Sequence, residues 1–121
     1  MAVIAVASGK GGTGKTSLTG AVGSCLAALD HPTLCIDMDV GLRNLDLSLG
    51  LGDRALMDFT DVIQGRCPLS KAAVEHPNIE GLFLLTAPVS LPQGLTEKGM
   101  KALLDEARAR FDYILLDAPA G

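Results

Sequence analysis

The sequence predicts a doubly wound α/β domain, and three observations carry that reading. Four short and mostly apolar runs, at residues 2–7, 33–36, 82–87 and 113–116, read as strands buried on both faces. Between them lie segments whose apolar residues recur at helical spacing. The motifs rich in glycine and aspartate follow directly on these runs, at the strand ends where ligands bind in sheets of this kind. A strand, a crossover helix and a further strand make a right-handed unit. The expectation is therefore a mainly parallel sheet with helices on both faces.

Residues 2–7 (AVIAVA) are the first strand, expected at the centre of the sheet and ended by Ser8 and Gly9. After a glycine loop, Leu18, Ala21, Val22, Cys25, Leu26 and Leu29 repeat at helical spacing, and His31-Pro32 marks the stop. Residues 33–36 (TLCI) are the second strand and run into Asp37-Met38-Asp39. Between Gly41 and Gly81 the pattern is mixed, with short helices expected at 55–63 and 70–74 and turns at Pro68 and Pro77. Residues 82–87 (LFLLTA) are the third strand. Thr96 is a candidate N-cap for a helix whose Met100, Leu103, Leu104, Ala107 and Phe111 share one face, while Lys98, Lys101, Asp105, Glu106 and Arg108 face solvent. Residues 113–116 (YILL) are the fourth strand and lead into Asp117-Ala118-Pro119-Ala120-Gly121.

At 121 residues, 48% hydrophobic and 20% charged, the chain has the size and composition of one globular domain, and 3% aromatic content makes its core aliphatic. A net charge of −4 with scattered basic residues argues against sequence-independent attraction to nucleic acid or anionic lipid. Cys25, Cys35 and Cys67 are odd in number and lack Cys-x-x-Cys spacing, which suggests neither a disulfide framework nor a zinc site and fits a reducing cytoplasm. Cys25 and Cys35 read as small core hydrophobes. No export signal is evident, and no apolar run approaches the ~20 residues of a membrane span.

Gly9-Lys10-Gly11-Gly12-Thr13-Gly14-Lys15-Thr16 fits G-x-x-x-x-G-K-[ST] with a buried strand before it and a helix after it. Its four glycines let successive N–H groups turn onto phosphate oxygens at the positive end of the helix dipole. Lys15 is placed to neutralise the β/γ oxygens and Thr16 to offer its hydroxyl to Mg²⁺. From pattern alone Lys10 is open between solvent and phosphate. Asp37 and Asp39, two apart at a strand end, can support Mg²⁺ or orient an attacking water. Asp117 ends an apolar strand, the setting of an acid that holds Mg²⁺ through water.

The loop resembles the deviant Walker A motif of the MinD/ParA ATPases, whose signature lysine falls at Lys10. The run from Asp37 to Asp46 is similar to that family's switch I, leaning toward the MinD branch through Leu42-Arg43-Asn44-Leu45-Asp46. Asp117-Ala118-Pro119-Ala120-Gly121 is similar to the Asp-x-Pro-Ala-Gly that opens switch II. The resemblance implies a P-loop NTPase fold that binds ATP and Mg²⁺. It assigns nucleotide contact to Gly9, Lys10, Gly11, Gly12, Thr13, Gly14, Lys15, Thr16, Ser17 and Asn44, metal support to Thr16, Asp37 and Asp117, and catalysis to Lys10, Lys15 and Asp39. Asp39 is the water-activating acid in this reading, and Lys10 reaches the nucleotide of a partner subunit in an ATP-dependent homodimer.

The resemblance further implies an ATPase that acts in division-site placement and answers to an activating protein partner. ParA-type partitioning ATPases and regulators of flagellar number share most of these motifs. A nucleotide-binding module without turnover is the reading from a different class. The likeness covers the whole chain, so residues 1–121 are expected to be the N-terminal part of a single nucleotide-binding domain. Adenine recognition, and the amphipathic helix through which the MinD branch of this family meets membranes, are expected in the remainder of such a domain. With the family's strand order, the first strand would lose its outer neighbour and become an apolar edge, and the isolated chain is expected to be poorly soluble.

Overall fold

A computed structural model describes residues 2–6, 13–38, 57–86, 88 and 96–117, with the backbone alone described for 2–6 and 13–19. The elements in chain order are β1 (Ala2–Val6), α1 (Thr13–Ala28), β2 (Thr33–Asp37), α2 (Phe59–Ile63), α3 (Leu69–Ala72), β3 (Val74–Glu75), β4 (Leu82–Leu85), α4 (Glu97–Arg110) and β5 (Tyr113–Asp117). They form one sheet in the order β1-β5-β2-β4-β3. Neighbours are parallel throughout except β3, which lies antiparallel to β4. Within the described sheet β1 lies not at the centre but at an edge, pairing with β5 alone, as the family's strand order implies for a first strand without its outer neighbour.

Strand alternation sorts the core into two layers. On one face Cys35, Leu82, Leu84 and Leu115 pack with Ala27 of α1, flanked by Val22 and Leu26. On the other, Leu34, Ile36, Leu85 and Ile114 meet Phe59, Leu69, Ala72, Leu103, Ala107 and Phe111 from α2, α3 and α4. Phe83 and Phe111 add an edge-to-face ring contact at 5.2 Å. The mainly parallel sheet with helices on both faces is the architecture the alternating pattern predicts.

The second layer follows the sequence closely. Thr96 caps α4 by accepting the Gly99 N–H at 3.0 Å, Leu103, Ala107 and Phe111 are buried, and Lys98, Lys101, Asp105 and Arg108 are exposed. The expected helix at 55–63 is α2, begun by a capping box in which Asp58 accepts the Thr60 and Asp61 N–H groups and Asp61 accepts the Asp58 N–H. Residues 55 and 56 lie outside the described residues. The expected helix at 70–74 is instead α3, which stops at Ala72: Ala73 is extended, and Val74 turns into β3 against Leu84.

The α1 layer departs from the periodicity. From Gly20 onward its buried positions are Gly20, Gly23 and Ala27, with Val22 and Leu26 partly buried. Ala21 and Cys25 are exposed, as is Leu29 at 67%. Cys25 is therefore not the core residue expected of it, although Cys35 is. The physical reason is close approach. A Cβ on Gly23 would lie 2.9 Å from Cys35 Sγ and 3.0 Å from Leu82 Cδ1, so glycine lets the helix sit down on the sheet where a larger residue would hold it off.

Candidate functional site

The strand registers place three residues in one row at the carboxyl edge of the sheet. Val6 pairs with Asp117, and Asp117 pairs with Asp37. Neighbouring strands lie about 4.8 Å apart, so the two aspartates are immediate neighbours across β5 and β2. Cys35 and Leu115 point to the α1 face, and Asp37 and Asp117, two residues further along the same strands, share that face. Both are fully buried. The Met38 N–H donates to the Asp117 carbonyl at 3.0 Å and carries the parallel ladder past the end of β2.

Helix α1 delivers its N-terminus to the same edge. Its last turns pack at the opposite edge, where Ala27 lies beside Gly81 at the entry to β4, and Gly23 sits over Cys35 and Leu115 in mid-sheet. Thr13 lies ten residues before Gly23, about 15 Å along the axis toward the carboxyl edge. Thr13, Gly14, Lys15, Thr16 and Ser17 open this helix, next to the strand end that carries Val6. A helix N-terminus offers unpaired N–H groups and positive potential to an anion.

Two carboxylates buried side by side in one row are an arrangement suited to a nearby cation, because burial makes like charges costly unless compensated. Mg²⁺ is held by one or two carboxylates plus water and phosphate oxygens, so the pair fits that ion. No group of three or more His, Cys, Asp or Glu side chains suited to a metal occurs among the described residues. The pair also acts on its surroundings. Burial, with the Asp117 carboxylate adding to it, pushes the Cys35 thiol up to about 12.

Of the residues singled out from sequence, the structure brings Asp37 and Asp117 together and sets Thr13, Gly14, Lys15, Thr16 and Ser17 at the start of α1. Gly9, Lys10, Gly11, Gly12, Asp39 and Asn44 lie outside the described residues. Cavities among the described residues lie elsewhere. One of about 430 Å³, lined by Ala27, Asp30, Pro32, Ile79, Glu80 and Gly81, opens at the amino edge of the strands, away from this site.

The sequence pattern of the AAA domain family matches residues 1–121. The septum site-determining protein MinD of Thermotoga maritima is 42% identical over 120 residues, covering 98% of this chain and 44% of that protein. The chain belongs to the MinD/ParA family of deviant Walker A P-loop ATPases. Solved structures from this family superpose on it. The Aquifex aeolicus MinC:MinD cell division protein complex matches with a TM-score of 0.86 at 42% identity, over 98% of this chain and 48% of that one. The septum site-determining protein MinD complexed with Mg-ADP from Pyrococcus horikoshii matches with a TM-score of 0.75 at 28% identity, over 98% and 49%. The chain thus spans less than half the length of these family members. Among the described residues no helix is long and apolar enough to cross a membrane.

Proposed function

We propose that this chain carries the phosphate and Mg²⁺ half of an ATP site and serves, in the manner of MinD, an ATPase that regulates placement of the division site. The observation that carries the reading is the row Val6, Asp117, Asp37, which sets two buried carboxylates beside the strand that leads into the glycine loop. Residues 1–121 are, in this reading, the N-terminal part of a single nucleotide-binding domain. The N–H groups from Gly9 to Thr16, with Ser17 behind them, cradle the phosphates, and Lys15 neutralises the β/γ oxygens. Thr16, Asp37 and Asp117 hold Mg²⁺, which would supply charge neutralisation on the transferring phosphoryl group. Asp39 accepts a proton from the attacking water, Asn44 contacts nucleotide or partner, and Lys10 reaches across an ATP-dependent homodimer.

The names of its relatives support the same assignment: septum site determination, a complex with MinC, and Mg-ADP are stated of family members. An activating protein partner and cytoplasmic residence with peripheral membrane contact belong to this proposal as well. Titration calorimetry with Mg-ATP tests it. Binding is expected for the chain and at least a tenfold loss for Lys15→Ala; equal affinity in the two would sink the assignment.

A second reading is a module that binds nucleotide and turns nothing over. Phosphate release measured beside the calorimetry separates the two, since binding without release selects the module.

A further inference from the structure

Next to Asp37 in the row along the carboxyl edge comes Thr86, one residue beyond the Ile36–Leu85 pair of β2 and β4. Thr86 is 2% exposed, and it is polar at the end of an otherwise apolar strand. Its hydroxyl donates to the Met57 carbonyl at 3.1 Å, while its own carbonyl accepts the Phe59 N–H at 2.9 Å. Asp58, between those two residues, forms a parallel bridge to Thr86. Both sides of one peptide segment are thus fastened to one threonine. Asp58 is then occupied as the cap of α2, accepting from Thr60 and Asp61. Met57 itself is 43% exposed and contributes little packing to this stem.

The position of the tie gives it meaning. Met38 leaves the sheet fastened to Asp117 at the end of β5, and Met57 is fastened to Thr86 just past β4, so the two residues that flank 39–56 are tied to the strands on either side of β2 at one sheet edge. Asp39 and Asn44 lie in that segment. We propose that Thr86 is a positioning residue: through the Met57 carbonyl it holds the chain entering α2, from Met57 to Phe59, at the carboxyl edge, one strand from Asp37. The part that concerns nucleotide rests on the proposed function; the tie itself does not. A hydroxyl is required because Met57 presents a carbonyl acceptor, and an isosteric methyl has no proton to donate.

Thr86→Val removes the donor at nearly constant volume, and Thr86→Ser keeps it. Limited trypsin digestion reads the stem at Arg54, three residues before Met57, with Arg66 and Lys101 as internal references. Cleavage after Arg54 is expected to quicken at least threefold in Thr86→Val, to match the parent chain in Thr86→Ser, and to leave the reference sites unchanged. Equal cleavage after Arg54 in all three chains would overturn the tie. Acceleration at every site in Thr86→Val would assign Thr86 to general stability and overturn a positioning role. The digestion is repeated with Mg²⁺ and a non-hydrolysable ATP analogue, with calorimetry on the parent chain as the check that it binds. Protection at Arg54 is expected in the parent and in Thr86→Ser, and at least a threefold smaller protection in Thr86→Val. Equal protection in all three would overturn the coupling to nucleotide. If the parent binds no analogue, the proposed function fails, and with it the coupling, while the digestion without nucleotide still decides the tie.

Discussion

The two helical layers of this sheet are built on opposite terms. Helix α4 is amphipathic: Leu103 and Ala107 face the sheet, and Lys98, Lys101, Asp105 and Arg108 face water. Helix α1 carries no charged residue from Ser17 through Ala28, and from Gly20 onward its buried positions are Gly20, Gly23 and Ala27. One layer gains stability from side-chain bulk, the other from proximity. The difference shows that apolar spacing locates a core face only when the opposite face is polar. From Ser17 through Ala28 of α1 no charge marks the outside, so the same pattern fits more than one orientation.

The sharpest break in the comparison is the removal of bulk from the α4 layer. Leu103→Ala is expected to lose about 2–5 kcal/mol in chemical denaturation, since the residue is 2% exposed within the larger cluster. Bulk added to the α1 layer should do the reverse damage. Gly23→Val is expected to lose about 1–3 kcal/mol through overpacking against Cys35 and Leu82. Gly23→Ala should fall well short of that, because a gain of about 1 kcal/mol in helix propensity offsets part of the crowding. A Gly23→Val chain as stable as its parent would show that α1 does not rest on its glycines.

Smaller effects sharpen the same contrast. Thr96→Ala removes the cap of α4 and should cost about 1 kcal/mol by thermal melt. Leu29→Ala, at a position 67% exposed, should stay within about 0.5 kcal/mol, although the helical spacing alone ranks Leu29 with the core. Thiol labelling in the folded state should modify exposed Cys25 and spare Cys35, with Cys35 reacting only on unfolding. The Cys35 thiol keeps its proton up to about 12 when folded and releases it near its ordinary 9.0 when unfolded. Its contribution to stability is therefore full below pH 9 and declines as pH rises from 9 toward 12, a fall that Cys35→Ala should lack.

The sequence was most legible where local chemistry is enough. The apolar strand runs, the Thr96 cap, the stop at His31-Pro32 and the buried face of α4 follow from spacing and capping, each decided within a few residues. Short elements were harder. Val74 reads as helix by pattern and is strand in the structure because Leu84 across β4 offers a ladder partner, which a window along the chain does not contain. In the candidate site, Asp37 and Asp117 were each visible as strand-end acids, and their adjacency depended on β2 and β5 being neighbours. Thr86 carried no signal at all, since its partner Met57 is 29 positions away.

By itself the sequence determined the alternation of strand and helix, the glycine loop with its two lysines, and the aspartates at the ends of two strands. These rest on backbone dihedrals, period and phosphate chemistry, all of which act over a few neighbouring residues. Tertiary structure alone decided which side of α1 meets the sheet, the turn of Val74 into β3, and the row Val6, Asp117, Asp37. Those outcomes depend on which distant segments pack together, and a single strand or helix carries no record of its neighbours.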